Sequence, residues 1–210
     1  MTETPSARVL VVGAQGGFAR GLATALADRG ADIALTTALP DAEAAFELRR
    51  IARVVTERGR RCLVESIDIS IGTGVQVAVR QVAKELGGLD ALVVAPALHI
   101  DKPAERLTDA DWARVVGVNL SGVFYACRAV SRDLFASEDG RIVVVAGGAG
   151  AENAVQASLR AGVTALAAGL DAEWSGRGVR VHEVEGATAD DEAATAAAVE
   201  RVMSLLMPAS

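Results

Sequence analysis

Short β-branched runs alternate with longer stretches of helical period along almost the entire chain, and no other feature of the sequence restricts its fold as tightly. Residues 8–12, 32–36, 62–67, 90–95, 141–145 and 179–184 read as strands. Residues 19–28, 41–58, 74–86, 109–135, 154–174 and 192–206 read as helices. The strand segments are continuous apolar runs, the pattern of strands covered on both faces. Parallel strands need long crossovers, and helices of this length supply them with right-handed connections. The pattern therefore predicts an α/β fold, a single Rossmann-like doubly wound parallel sheet with helices on both faces. A chain of 210 residues suits one domain spanning positions 1–210. Only 3% of the residues are aromatic, so Ala, Val, Leu and Ile must fill the core.

The net charge of −6 comes with no cluster of Lys and Arg large enough to track a phosphate backbone, which argues against a nucleic-acid partner. The densest basic stretch, Arg49, Arg50, Arg53, Arg58, Arg60 and Arg61, is interrupted by Glu57 and reads as a solvated helix face with its exit. No apolar run is long enough to cross a bilayer, and the opening Met-Thr-Glu-Thr-Pro is unlike a signal peptide. A soluble cytoplasmic protein, not associated with membranes, is expected. Cys62 and Cys127 fit neither a metal spacing nor a disulfide framework and read as buried thiols.

The first strand runs into Gly13-Ala14-Gln15-Gly16-Gly17-Phe18-Ala19. Glycines between a strand and a helix allow a tight turn and let backbone N–H groups approach a pyrophosphate at the positive end of the helix. The same turn can also exist only for its geometry. Further along stand Asp68 in Ser66-Ile-Asp-Ile, Trp112, the run Val118-Asn119-Leu120-Ser121-Gly122-Val123-Phe124, Gly140-Arg-Ile-Val-Val-Val, and Arg177-Gly-Val-Arg-Val. With these motifs the chain resembles the short-chain dehydrogenase/reductase superfamily over nearly its whole length. That family opens with Thr-Gly-x-x-x-Gly-x-Gly, where this chain has Val12 for the threonine and Ala19 for the last glycine. The resemblance implies about six strands in the order 3-2-1-4-5-6. It also implies a nucleotide site at Gly13, Gln15, Gly16, Gly17 and Phe18, with Asp68 on the adenine side.

The departures from the family fall at its chemistry. Val94-Ala95-Pro96-Ala97 replaces Asn-Asn-Ala-Gly after the fourth strand. The family's catalytic serine falls at Gly147, which has no hydroxyl. Alignment through Arg160-Ala161-Gly162-Val163 puts Gln156 at the family's tyrosine and Arg160 at its lysine. Glutamine has no ionisable proton and cannot act as general acid or base, whereas arginine stays charged and could still bind ribose hydroxyls or phosphate. Asn119 is retained, either as part of that set or as a helix-kink asparagine. Leu35-Thr36-Thr37-Ala38 carries neither the acidic residue that would grip a ribose diol nor an arginine for a 2′-phosphate, so nothing selects NAD over NADP. Residues 185–190 lead straight into the last helix, so neither the family's long substrate lid nor its seventh strand is expected.

Two other groups have polar readings. His99 with Asp101 could do acid–base work near the vacated site or lie on a surface loop, and His182 with Glu183 is too few for a metal site. Glu152, Asn153 and Gln156 are candidates to cap the following helix. Helices 109–135 and 154–174 are apolar on more than one face. The second is dense in small residues: Ala161, Gly162, Ala165, Ala167, Ala168, Gly169 and Ala172. Such faces imply burial against another chain, and the family builds its dimers there. The expectation is a catalytically inactive family member that assembles with itself or with an active paralogue, by analogy one acting on a hydroxyacyl thioester, with no firm cofactor. An NAD(P)-dependent oxidoreductase using His99 or Arg160, and an unreactive NAD(P) sensor, stand as alternatives.

Overall fold

The structure, a computed structural model, describes residues 6–147, 153–187 and 191–207. The polar start of the chain, Glu152 and the residues closing it after Met207 lie outside these, so the readings placed there have no structural counterpart.

Six strands form one sheet: β1 Arg8–Val12, β2 Asp32–Thr36, β3 Cys62–Glu65, β4 Ala91–Val94, β5 Gly140–Ala146 and β6 Val179–Glu185. Their order is β3-β2-β1-β4-β5-β6, and every pairing is parallel. The helices are α1 Gly16–Asp28, α2 Ala42–Glu57, α3 Gly72–Leu86, α4 Asp109–Val116, α5 Gly122–Leu134, α6 Ala154–Trp174 and α7 Glu192–Leu206. Alternate strand residues divide the core in two. Val9, Val11, Ile33 and Leu35 pack with Leu22, Leu26, Ile51 and Val202, so α1, α2 and α7 cover one face. Leu10, Val12, Leu92 and Ile142 pack with Val79, Val130 and Val163, so α3, α5 and α6 cover the other.

Local chemistry sets the ends of the elements. Asp41 caps α2 by accepting from the N–H groups of Glu43 and Ala44 at 2.8 and 3.1 Å. Thr108 and Asp111 form a reciprocal capping box at α4. Asn153 and Asp191 cap α6 and α7. Gly87, with φ +87°, ends α3 in the left-handed conformation that suits glycine. Arg8 and Asp90 form a 2.7 Å ion pair that ties the start of β1 to the entry of β4.

The segment read as one helix over 109–135 is interrupted. A π-turn, Gly117–Ser121, separates α4 from α5. Such a turn adds a residue to the helical ring and bends it. Two other boundaries also differ. α1 starts at Gly16 because the glycines themselves open the helix, and β3 stops at Glu65. Beyond β3, the Thr37 side chain binds both the N–H and the carbonyl of Ile67, at 3.1 and 3.2 Å, replacing a ladder pairing. β6 forms an edge of the sheet, and there Asp171 of α6 accepts from the Val181 N–H at 2.9 Å. Cys127 is buried and Cys62 partly so. Burial pushes both thiols up to about 12, so neither is a thiolate at neutral pH.

Candidate nucleotide crevice

The C-terminal ends of β1 and β4 border a crevice, and the glycine turn lines one side of it. Gly13 and Gly16 have φ of +75° and +57°. A Cβ on Gly13 would stand 3.2 Å from the backbone of Pro96, so the turn lies directly against the segment leaving β4. Gln15 is the N-cap of α1 but supplies no side-chain cap, and no acidic residue occupies the first turn. The N–H groups at Gly16, Gly17 and Phe18 therefore keep their capacity for an anion, and the residues present fit the diphosphate of a nucleotide. Asp68 follows β3 and lines a hollow there with Glu65, Ser66 and Gln81. Its Oδ1 accepts from the N–H and hydroxyl of Ser70 at 2.9 and 2.5 Å. The end of β2 offers a ribose no charged group, since Thr36 and Thr37 are both buried there.

The other side of the crevice gathers the residues aligned with the family's reactive set. Asn119 is only 8% exposed and sits inside the π-turn. Its Oδ1 accepts from the Leu98 N–H at 3.0 Å, and its Nδ2 donates to the Leu98 carbonyl at 2.7 Å. Gln156 donates to the same carbonyl at 3.5 Å, and Asn153 to the Ile100 carbonyl at 3.4 Å. Leu98 and Ile100 also join the apolar cluster around Val115, Val155 and Leu159. Gly147 leaves β5 with φ +77°, and a Cβ there would lie 3.5 Å from Cδ of Arg160. Gln156 and Arg160 lie one helical turn apart on α6.

Asn119 and Gln156 thus meet at one carbonyl, and Gly147 meets Arg160. The reading of Asn153 as a cap is borne out, its Oδ1 accepting from the N–H groups of Val155 and Gln156 at 3.1 and 3.0 Å. His99 adjoins this group through Leu98, and its Nδ1 is buried with no hydrogen-bond partner among the described residues. His182 and Glu183 lie on β6, where Glu183 accepts from the Thr164 hydroxyl at 3.0 Å. Among the described residues no three His, Cys, Asp or Glu side chains are grouped as metal ligands would be. Nor is any of the described helices long and apolar enough to cross a membrane. Sequence reasoning missed Leu98, the hub of the crevice. It acts through its backbone, which no motif marks.

The short chain dehydrogenase family matches residues 7–201, and this chain belongs to it, a family of oxidoreductases. D-threitol dehydrogenase of Mycolicibacterium smegmatis is 32% identical over 179 residues, covering 83% of this chain and 67% of its own length. A subunit of (2S)-((R)-hydroxy(phenyl)methyl)succinyl-CoA dehydrogenase from Thauera aromatica is 29% identical over 176 residues, 82% of this chain and 69% of that protein. Among solved structures, a short chain dehydrogenase from Burkholderia cenocepacia in complex with NADP superposes with a TM-score of 0.83 at 26% identity, covering 96% of this chain and 91% of that one.

Proposed function

We propose that this chain is a non-catalytic member of its family that acts by assembly, pairing with itself or supporting an active short-chain dehydrogenase subunit. The observation that carries this reading is Gln156. At the position aligned with the proton-transferring tyrosine stands an amide bonded to the Leu98 carbonyl, which cannot titrate. The backbone at Gly147 adds support. Its φ of +77° disfavours any L side chain, serine included.

Surfaces on the same helices support the assembly half of the reading. Along α6 the exposed residues Ala157, Ser158, Ala161, Ala165, Ala168 and Ala172 are small, which permits close helix approach, and Arg160, Thr164 and Glu173 are exposed among them. Gly162 and Ala167 instead face inward, Gly162 against Leu120 and Ala167 in the core. On the neighbouring α4 and α5, Trp112 is 48% and Phe124 37% exposed, large apolar side chains of the kind that anchor interfaces. The Thauera relative, named as a dehydrogenase subunit acting on a succinyl-CoA derivative, is consistent with an acyl thioester as the partner's substrate. In this reading the protein resides in the cytoplasm and carries no obligate cofactor. NAD or NADP, if held, would be bound at Gly13, Gln15, Gly16, Gly17, Phe18 and Asp68 without reacting.

Native mass measurement of the complex isolated from its own cells tests the proposal. The expected result is an assembly that contains, besides this chain, a family member with intact tyrosine and lysine. A lone homodimer would restrict the reading to self-assembly, and a monomer would refute it. A second reading, an NAD(P)-dependent oxidoreductase with unusual groups, draws on the unpartnered Nδ1 of His99 and on the dehydrogenase relatives. Nicotinamide-dependent turnover by the isolated chain that disappears in His99→Ala would establish it instead.

A further inference from the structure

We propose that nucleotide binding in the crevice and assembly on α4–α6 are coupled through the π-turn Gly117–Ser121, a regulation that rests on the assembly reading above. Both arms of the crevice touch this turn. On the adenine side, a Cβ at Gly117 would stand 3.3 Å from Ser70 Cβ, and one at Gly122 2.8 Å from Cγ1 and Cγ2 of Ile69. The turn is therefore seated on the segment that Asp68 braces through Ser70. On the opposite side Asn119, within the turn, clamps both backbone groups of Leu98. Leu98 belongs to the segment that begins with Pro96, and Pro96 lies against the glycine turn at Gly13. Gln156 and Asn153 fasten the same segment to α6.

The contacts therefore run from the diphosphate-binding turn to Pro96, to Leu98, and from there into both helical elements of the assembly face. Leu120, inside the π-turn, packs on α6 at Gly162, where a Cβ would come within 3.4 Å of it. A π-turn holds one residue more than an α-turn, so it is where the register of the flanking helices can shift. A nucleotide that orders the glycine turn, Pro96 and the Asp68 segment fixes one arrangement before the partner arrives, and the partner then meets a smaller ordering cost. Linkage is reciprocal, so the partner tightens nucleotide binding by the same factor.

The test uses the complex as isolated from its own cells, with its dissociation constant measured by dilution and native mass, alone and with saturating ADP or NADP. Calorimetry on the same preparation measures nucleotide binding. The expected result is a dissociation constant lowered about fivefold or more by at least one nucleotide. Gln156→Ala and Ser70→Ala, which removes the hydroxyl that braces Asp68 without burying a charge, should keep the nucleotide-free affinity and lose most of this response. An unchanged or weakened complex overturns the coupling, as does a full response in both variants. Failure of both nucleotides to bind overturns it too, while leaving the assembly reading in place. Absence of any complex removes both together.

Discussion

The family resemblance pairs Gln156, Gly147 and Asn119 with working groups; in the structure Gln156 and Asn119 both donate to the Leu98 carbonyl, and Gly147 lies beside Arg160. Gly147 holds a left-handed backbone, so Gly147→Ser should cost about 1–2 kcal/mol of stability and produce no hydride transfer. Thermal unfolding, together with NADH and NADPH absorbance in the presence of a panel of alcohols and ketones, checks both halves. Asn119→Ala strands the N–H of Leu98 and leaves its carbonyl only the 3.5 Å bond from Gln156, with an expected loss of about 1–3 kcal/mol in denaturant unfolding. A loss below half a kcal/mol would mean that water replaces the clamp at no cost. The sequence was legible here in its absences: no tyrosine or serine stands at the aligned positions. What those positions do instead was not legible, because Leu98 contributes only backbone atoms and the sign of φ at a glycine leaves no mark on composition.

Among the elements, the strands were the most legible part of the fold, since buried parallel strands write themselves as unbroken apolar runs. The helix over 109–135 was readable as helix but not as interrupted, because a π-turn keeps helical apolar spacing on both sides and shifts it by one residue. Ile69 packs closely on Gly122, where the turn passes into α5. Gly122→Ala should therefore overpack that contact and destabilise the chain by about 1–3 kcal/mol, even though alanine is the better helix former. Capping chemistry gives α4 a pH dependence. Hydrogen bonds from Lys102 and from the Thr108 backbone and hydroxyl hold Asp111 down at about 2, from an ordinary 3.8. A carboxyl lowered in the folded state adds stability that is whole above its ordinary value and fades as the pH falls toward its folded one. Trp112 adjoins this cap, so its fluorescence should change between roughly pH 4 and pH 2. In Asp111→Asn that transition should vanish. Persistence of the transition would place its origin elsewhere in the molecule.

At the scale of the whole molecule, the two faces of the sheet have separate tasks. α1, α2 and α7 close one side. α3, α5 and α6 cover the other, and α4, α5 and α6 turn small and aromatic residues outward. Ala161→Glu places a charge on that outward face without entering the core, and a surface change of this kind alters protomer stability by no more than about 0.5 kcal/mol. It should nevertheless shift sedimentation from complex to free protomer, and unchanged sedimentation would locate the contact on another surface. The sheet's far border has its own safeguard. Asp171 occupies the Val181 N–H on the side of β6 away from β5, where no strand pairs among the described residues. Without that carboxylate the border would present a free donor in an extended, β-branched stretch, an open template for recruiting strands from other molecules. One aspartate on α6 thus helps keep this border of the sheet from seeding fibres.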